Sequence, residues 1–378
     1  MAEPFKNLLN PALLRRTAAH LLRVETGFDA ARFILLASHG LEGLEMKARA
    51  MWICDALEAT LPGDFHTAAA VLEAALAPPQ TGDPVVDPAA DDSGLAGWIL
   101  WPVGEYIARH GQAEPERALA ALHALTQRFT AELAIRPFIV NHPALAYRTL
   151  QRWTGDPSAH VRRLASEGSR PRLPWGMQLK AAVEDPSPGL PLLLALQDDA
   201  SAYVRRSVAN HLNDIAKDHP GRVADWLEMH LPDAPATRQA LLRHASRTLI
   251  KRGDARVLQA WGLGMPLRGK ATLSLSSDPV QLGDSVTLNV VLQSTAARAQ
   301  RLAIDYVVHH VKADGSTSPK VFKGWVADLP ARGRLDLTRR HSMRVITTRR
   351  YHAGLHTVVV QVNGQPMASA GFSLAIPD

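Results

Sequence analysis

The chain has 378 residues, more than one hydrophobic core commonly serves, and its 46% hydrophobic and 21% charged residues exclude a wholly disordered polymer. No apolar run approaches the roughly 20 residues a membrane-spanning helix needs, and the opening MAEPFKNLLNPALLRR lacks a signal-peptide core. The one cysteine, Cys54, excludes an intramolecular disulfide or a thiolate metal cage, and a reducing cytoplasm is the expected setting.

The net charge of +6 is unevenly spread. Residues 1–147 carry 11 Lys and Arg against 17 Asp and Glu, residues 148–252 carry 16 against 11, and residues 265–378 carry 14 against 7. Basic surface attracts polyanions by releasing their condensed counterions. On charge alone a solvated basic face is the preferred reading.

From residue 11 to about 261 the pattern is helix after helix, with apolar residues three or four apart in PALLRRTAAHLLRV, HTAAAVLEAALA, ERALAALHALTQRFTAEL and YVRRSVANHLNDIAK. Residues 78–94, rich in Pro, Asp and Gly, read as an exposed loop. Near residue 266 the period changes to two. Seven segments, from ATLSLSS to ASAGFSLAI, read as short strands of an immunoglobulin-like sandwich held by packing alone. The predicted organisation is an all-α domain over 1–264, a linker MPLRGK (265–270), and an all-β sandwich over 271–378.

The helical part contains a self-match. Asp156-Pro157-Ser158-Ala159-His160-Val161-Arg162-Arg163 recurs as Asp199-Ala200-Ser201-Ala202-Tyr203-Val204-Arg205-Arg206, an offset of 43 residues that falls in the period of HEAT-like repeats. A degenerate copy begins at Asp233. Asp156 and Asp199 are expected to cap their helices. Val204, Val208, Leu212 and Ile215 form the second copy's buried stripe, with Arg206, Asn210, Asn213 and Lys217 opposite and Asp214 on the flank. Stacked repeats would line a concave wall with Arg163, Arg205, Arg206, Arg243, Arg247 and Lys251, suited to a duplex backbone; solenoids of this kind also bind proteins.

Four strings then carry a resemblance: EPFKNLLNPALLRR, RFTAELAIRPF (128–138), SEGSRPRLPW (166–175) and SAYVRRSVANHLNDIAKDHP (201–220). Together they resemble the AlkC family of bacterial DNA alkylation repair proteins, across essentially the whole helical region. The sandwich looks like the extra immunoglobulin-like domain of one AlkC subgroup. The resemblance implies a DNA glycosylase acting on cationic N3-alkylated bases such as 3-methyladenine and 3-methylcytosine in duplex DNA, without flipping the base. Such a base is already a good leaving group. The enzyme must then stabilise an oxocarbenium-like sugar and supply water, both tasks for carboxylates, while an aromatic face attracts the cationic nucleotide.

The residues that match the family's site are Glu132, Glu167, Asp214 and Trp175. Glu132 is expected on a helix, at the margin of the stripe Leu122, Leu125, Phe129 and Leu133; its alternative is a surface pair with Arg136. Glu167 precedes Gly168, which would admit another backbone; its alternative is a surface residue at a helix end. Asp214 could equally pair with Lys217 on the surface, and Trp175, placed at a helix start after Pro174, could be ordinary core. Glu167 and Asp214 would flank the sugar and position water, Glu132 would assist, and Trp175 would pack against the lesion nucleotide. Arg163, Arg170, Arg172, Arg205, Arg206 and His211 would hold phosphates. Arg339 and Arg340 would let the sandwich close on the duplex as a clamp. GxxxxGK[ST], HExxH and CxxC are absent, and His309 and His310 would face opposite sides of a strand; no metal or cofactor is expected. The expected partner is double-stranded DNA bound by a monomer, with no membrane. The alternative is a noncatalytic HEAT-repeat scaffold for DNA or protein.

Overall fold

A computed structural model describes residues 4–79, 91–263, 265–276, 278–346 and 349–376. Most of the loop predicted over 78–94 therefore lies outside the described residues. The chain forms two compact units: Met1–His219 with Pro235–Ala245, and Pro220–Ala234 with Ser246–Asp378. The fold class is the expected one, a helical region followed by an immunoglobulin-like sandwich.

The first unit contains α1 (Pro11–Val24), α2 (Ala30–Ser38), α3 (Met46–Glu58), α4 (Phe65–Ala74), α5 (Leu100–His110), α6 (Pro115–Thr126), α7 (Arg136–Asn141), α8 (Pro143–Trp153), α9 (Ala159–Glu167), α10 (Lys180–Glu184), α11 (Leu190–Leu196) and α12 (Ala202–Asp218). Another helix of this unit, α14 (Ala236–Ala245), follows α13 (Pro220–His230), which belongs to the second unit. Side-chain oxygens start several of them: Asn10, Asp29 and Asp64 accept from Leu13, Arg32 and Thr67 N–H groups.

The repeated motif is capped differently from expectation. Ser158 and Ser201 occupy the N-cap positions. Asp156 and Asp199 lie two residues earlier and accept from the Ser158 and Ser201 amides in Asx turns. The Asp199 carboxylate is also gripped bidentately by Arg162, at 2.7 and 3.1 Å. The first arginine of one copy thus ties down the aspartate of the next.

Between those copies, α12 packs against both α9 and α14. Val204, Val208, Leu212 and Ile215 are buried as predicted, each contributing about 1.5–3 kcal/mol by burial. Cover on two sides also buries Asn213 and Asp214, which a one-stripe wheel left outside.

The helix predicted through residue 133 stops at Thr126. The Arg128 carbonyl, which a continuing helix would give to Glu132, accepts from the Gly97 amide at 3.2 Å. The Glu132 amide turns to Thr130 Oγ1 instead. A tertiary contact overrides the local period here, and Glu132 lies on a turn.

The second unit holds α13, α15 (Arg247–Arg252) and α16 (Ala255–Ala260) with the strands. β1 (Gly269–Leu275), β3 (Ser285–Ser294) and β6 (Arg334–Ser342) make one antiparallel sheet in the order β1-β3-β6. β2 (Val280–Gln281), β4 (Gln300–Val311), β5 (Thr317–Leu329), β7 (Gly354–Val362) and β8 (Gln365–Ala375) make the other, in the order β2-β8-β7-β4-β5. The seven expected strands are present. The eighth, β2, pairs parallel over two residues, too short for a periodic signal. Inward positions such as Val286, Leu288, Val308, Val358 and Phe372 fill the core. The expected linker is tied to the sandwich, with Met265 O accepting from Asn363 and the Arg268 amide donating to Gln300.

Candidate active site

Glu167 is the last residue of α9, where the helix dipole opposes a negative charge. It is nevertheless 5% exposed. Its Oε1 accepts from Arg170 Nη1 at 2.5 Å and its Oε2 from the Ser207 hydroxyl at 2.6 Å, with Arg163 Nη2 at 3.7 Å from Oε1. Burial pushes the Glu167 carboxyl up, but Arg163, Arg170 and the Ser207 bond outweigh it and hold the group below the usual range. Glu167 is therefore an anion at neutral pH.

Asp214, in the middle of α12, is 2% exposed. Its Oδ2 accepts from Arg170 Nε and Nη2 at 2.8 and 2.7 Å, and its Oδ1 from Lys217 at 2.7 Å. The i+3 contact with Lys217 exists as the surface alternative required, but the carboxylate is buried. One guanidinium therefore brings together two carboxylates 47 positions apart. At the far end, Arg163 donates to Glu132 Oε2 at 2.7 Å and lies 4.9 Å from the Tyr203 ring centroid. The result is an alternating ladder: Glu132, Arg163, Glu167, Arg170, Asp214, Lys217. Glu167, Arg170 and Asp214 stay buried because each has an opposite partner.

Arg163 and Arg170, expected on phosphates, are instead the cations of this ladder. His211 is 1% exposed and donates Nδ1–H to the Ser166 carbonyl at 3.0 Å. Burial first, and then Arg170, push it down to about 4, so it is neutral. Arg205 bends back onto the Asp199 and Ala200 carbonyls of its own capping turn. Arg172 is half-buried and pairs with Asp218 through two 3.0 Å bonds. Arg206 is exposed, beside Arg205 and His244 on an open groove between α12 and α14. Arg243 lies on α14; Arg247 and Lys251 lie on α15 in the second unit. Arg340 is exposed on β6, and the Arg339 guanidinium lies over Trp325 at 5.5 Å.

The loop between α9 and α10 carries Arg170 and Trp175. Arg136, at the start of α7 and fully buried, organises it. Its guanidinium donates to the Gly168, Met177 and Pro171 carbonyls at 2.8, 2.7 and 3.4 Å. Gly168 leaves room for the Ile135 side chain, not for another backbone; a Cβ would meet Ile135 Cγ2 at 2.5 Å. Trp175 lies in a turn, not at a helix start. Its φ is 64°, a left-handed conformation costing a bulky residue about 1–2 kcal/mol, and it is 56% exposed. Strain of this kind collects at functional positions. The indole is not core: it stacks on Trp101 at 5.6 Å and 10°.

Trp175, Trp101, Trp98, Phe129 and Glu132 line a cavity of about 100 Å³. The ladder's first carboxylate is thus also a wall of the aromatic cavity. Sequence reasoning passed over Trp98, Trp101, Phe129, Ser207 and the bracing role of Arg136. Trp98 and Trp101, three apart in GWILWP, were the available signal, since that spacing sets both on one side of a helical turn.

Residues 270–376 match the family described as "Uncharacterised protein YhaZ, C-terminal Ig-like domain". The chain is 35% identical over 378 residues to the uncharacterized protein YhaZ of Bacillus subtilis (strain 168), covering 98% of this chain and 99% of that one. Among solved structures it is similar to the Pseudomonas fluorescens alkylpurine DNA glycosylase AlkC bound to DNA containing an abasic site analog, with 34% identity, a TM-score of 0.89, and coverage of 99% of this chain and 100% of that one. Identity of this level over both full lengths, together with the shared fold, shows that the chain belongs to the AlkC family, in its form with a C-terminal immunoglobulin-like domain.

Proposed function

We propose that this protein is a monofunctional DNA glycosylase that hydrolyses the N-glycosidic bond of cationic N3-alkylated bases, such as 3-methyladenine and 3-methylcytosine, in duplex DNA. The observation that carries the reading is the alternating ladder ending in an aromatic cavity. As the C1′–N bond breaks, its electron pair goes to the base, which leaves neutral and needs no proton. Positive charge then develops on the sugar. Glu167 and Asp214, buried anions on one guanidinium, stabilise that charge in a water-poor setting. Glu167 Oε2 and Asp214 Oδ1 each keep acceptor capacity beyond their bonds to Ser207 and Lys217, and the pair holds the attacking water. The water oxygen bonds to C1′, and its proton passes to a carboxylate and then to solvent. Glu132 and Trp175 face the cationic nucleotide as an anion and a π-surface.

The lesion is read without flipping, as the resemblance to the family implies. Arg206 and Arg172 are the phosphate anchors of the first unit, with Arg243, Arg247 and Lys251 adding basic charge, and Arg339 and Arg340 give the sandwich its contribution to a clamp. The protein acts as a cytoplasmic monomer without a cofactor. The relative's recorded association with abasic-analog DNA supports this reading. The test is release of methylated base from alkylated duplex at neutral pH without heating. Accumulation of abasic sites is expected; tight DNA binding with no release would favour a noncatalytic scaffold.

A further inference from the structure

We infer that the short helical turn Phe5–Leu8, some 170 residues upstream of Trp175, is a positioning element of the active site; the inference rests on the role given to Trp175 above. Trp175 is strained, largely exposed and carried on a turn, so something must hold its indole against Trp101. Phe5 approaches the Trp175 ring at 5.8 Å and sets its edge on Trp98 at 4.6 Å and 86°. It therefore touches two of the aromatic walls of the cavity at once. Lys47, on the first turn of α3, donates its ammonium to the Trp175 carbonyl at 3.2 Å. That bond fixes the peptide whose φ is left-handed.

The Phe5 turn is itself anchored. Arg49 is 4% exposed and turns its donors to backbone carbonyls. Its guanidinium donates to the Lys6 and Leu9 carbonyls at 3.0 and 2.9 Å, and to the Leu44 and Glu42 carbonyls at 2.9 and 3.1 Å. Lys6 adds an ion pair to Glu45. A buried guanidinium spending its donors on backbone carbonyls fixes two segments in one register. Arg49 thus does for the Phe5 turn what Arg136 does for the Trp175 loop, and Phe5 and Lys47 join the two assemblies. Nearly half-exposed, Phe5 contributes little to the core. Its contacts with Trp98 and Trp175 are what remain to account for its placement.

The test is single-turnover base release from methylated duplex by the full chain and by Phe5→Ala, Phe5→Tyr, Trp175→Ala and the double variant Phe5→Ala/Trp175→Ala. Phe5→Ala is expected to slow release about tenfold, as a displaced contact group does, with DNA affinity and melting temperature nearly unchanged. Phe5→Tyr should recover most of the rate. In the Trp175→Ala background, Phe5→Ala should cause no further loss, because it acts through Trp175. A wild-type rate in Phe5→Ala beside an impaired Trp175→Ala would overturn the brace alone. So would a tenfold loss that persists in the double variant. An unimpaired Trp175→Ala would remove the role of Trp175 and the brace with it, and an inactive wild type would overturn the glycosylase reading as a whole.

Discussion

Replacing Arg170 separates two accounts of its positive charge. In the ladder it is the only residue bonded to both Glu167 and Asp214. Truncating one partner of a buried ion pair costs about 3–5 kcal/mol, because the other charge is left without compensation. Glu167 keeps Ser207 and Asp214 keeps Lys217, so Arg170→Ala should fall near the lower end, about 3 kcal/mol. For a helical unit of this size that is a drop in melting temperature of roughly 6–12 °C. The sign with pH follows from Glu167. Its folded pKa lies below the unfolded value, so its stabilisation is present above the unfolded pKa and fades as pH falls through the folded one. Without Arg170 the folded pKa of Glu167 rises, so the variant gains relative to wild type on acidification. The stability gap should narrow between pH 7 and pH 4. Urea unfolding of both proteins at the two pH values measures it. If Arg170 were a phosphate anchor, the variant would keep its stability within about 0.5 kcal/mol and the salt dependence of DNA binding would flatten by about 0.9. That outcome refutes the ladder.

The neighbouring arginines should divide in the same way. Arg206→Ala should flatten the salt dependence of DNA binding by about 0.9, whereas Arg205→Ala should leave it unchanged and cost about 1–2 kcal/mol of stability through the Asp199 and Ala200 carbonyls; equal slopes in both would contradict the assignment. In the sandwich, burial first and then Arg349 push His310 down to about 3 and His341 to about 4. Their uncharged forms stabilise the fold fully above the ordinary value near 6.5, and each loses up to about 1.4 kcal/mol per pH unit as pH falls below it. The sandwich transition should therefore weaken steeply between pH 6.5 and 4.5, and His310→Phe should reduce that slope; a flat profile in wild type argues against it. Trp175→Gly should relieve the left-handed backbone, hold or raise the melting temperature, and lower the rate of base release; a higher rate would remove the indole from the reaction.

Much of the architecture was legible because local patterns and tertiary structure agree. The period-2 segments became strands in nearly the expected bounds, and the stripe of α12 is buried where the wheel put it. The two copies of the repeat also meet in space, since Ser207 of the second donates to Glu167 at the end of the first. Illegible parts are those where one group is claimed by something distant in sequence. Gly97 takes the Arg128 carbonyl and ends a helix that periodicity would continue. Arg163 and Arg170 look like phosphate ligands in a basic string, but two carboxylates in reach claim them first. Asp156 precedes a helix as a cap does, yet Ser158 occupies the cap and frees the carboxylate to meet His123 at 2.7 Å. Positive φ at Trp175 has no sequence signature, because such positions ordinarily take glycine or asparagine.

In the proposed reaction Glu167 and Asp214 act as anions on the sugar whose base is leaving. Single-turnover release of 3-methyladenine from duplex DNA by wild type, Glu167→Gln and Asp214→Asn tests it most directly, with DNA affinity measured alongside. Each amide keeps the shape and removes the charge, so release should fall by about a hundredfold or more while affinity stays within a few-fold of wild type. Release at the wild-type rate in both variants would contradict the account.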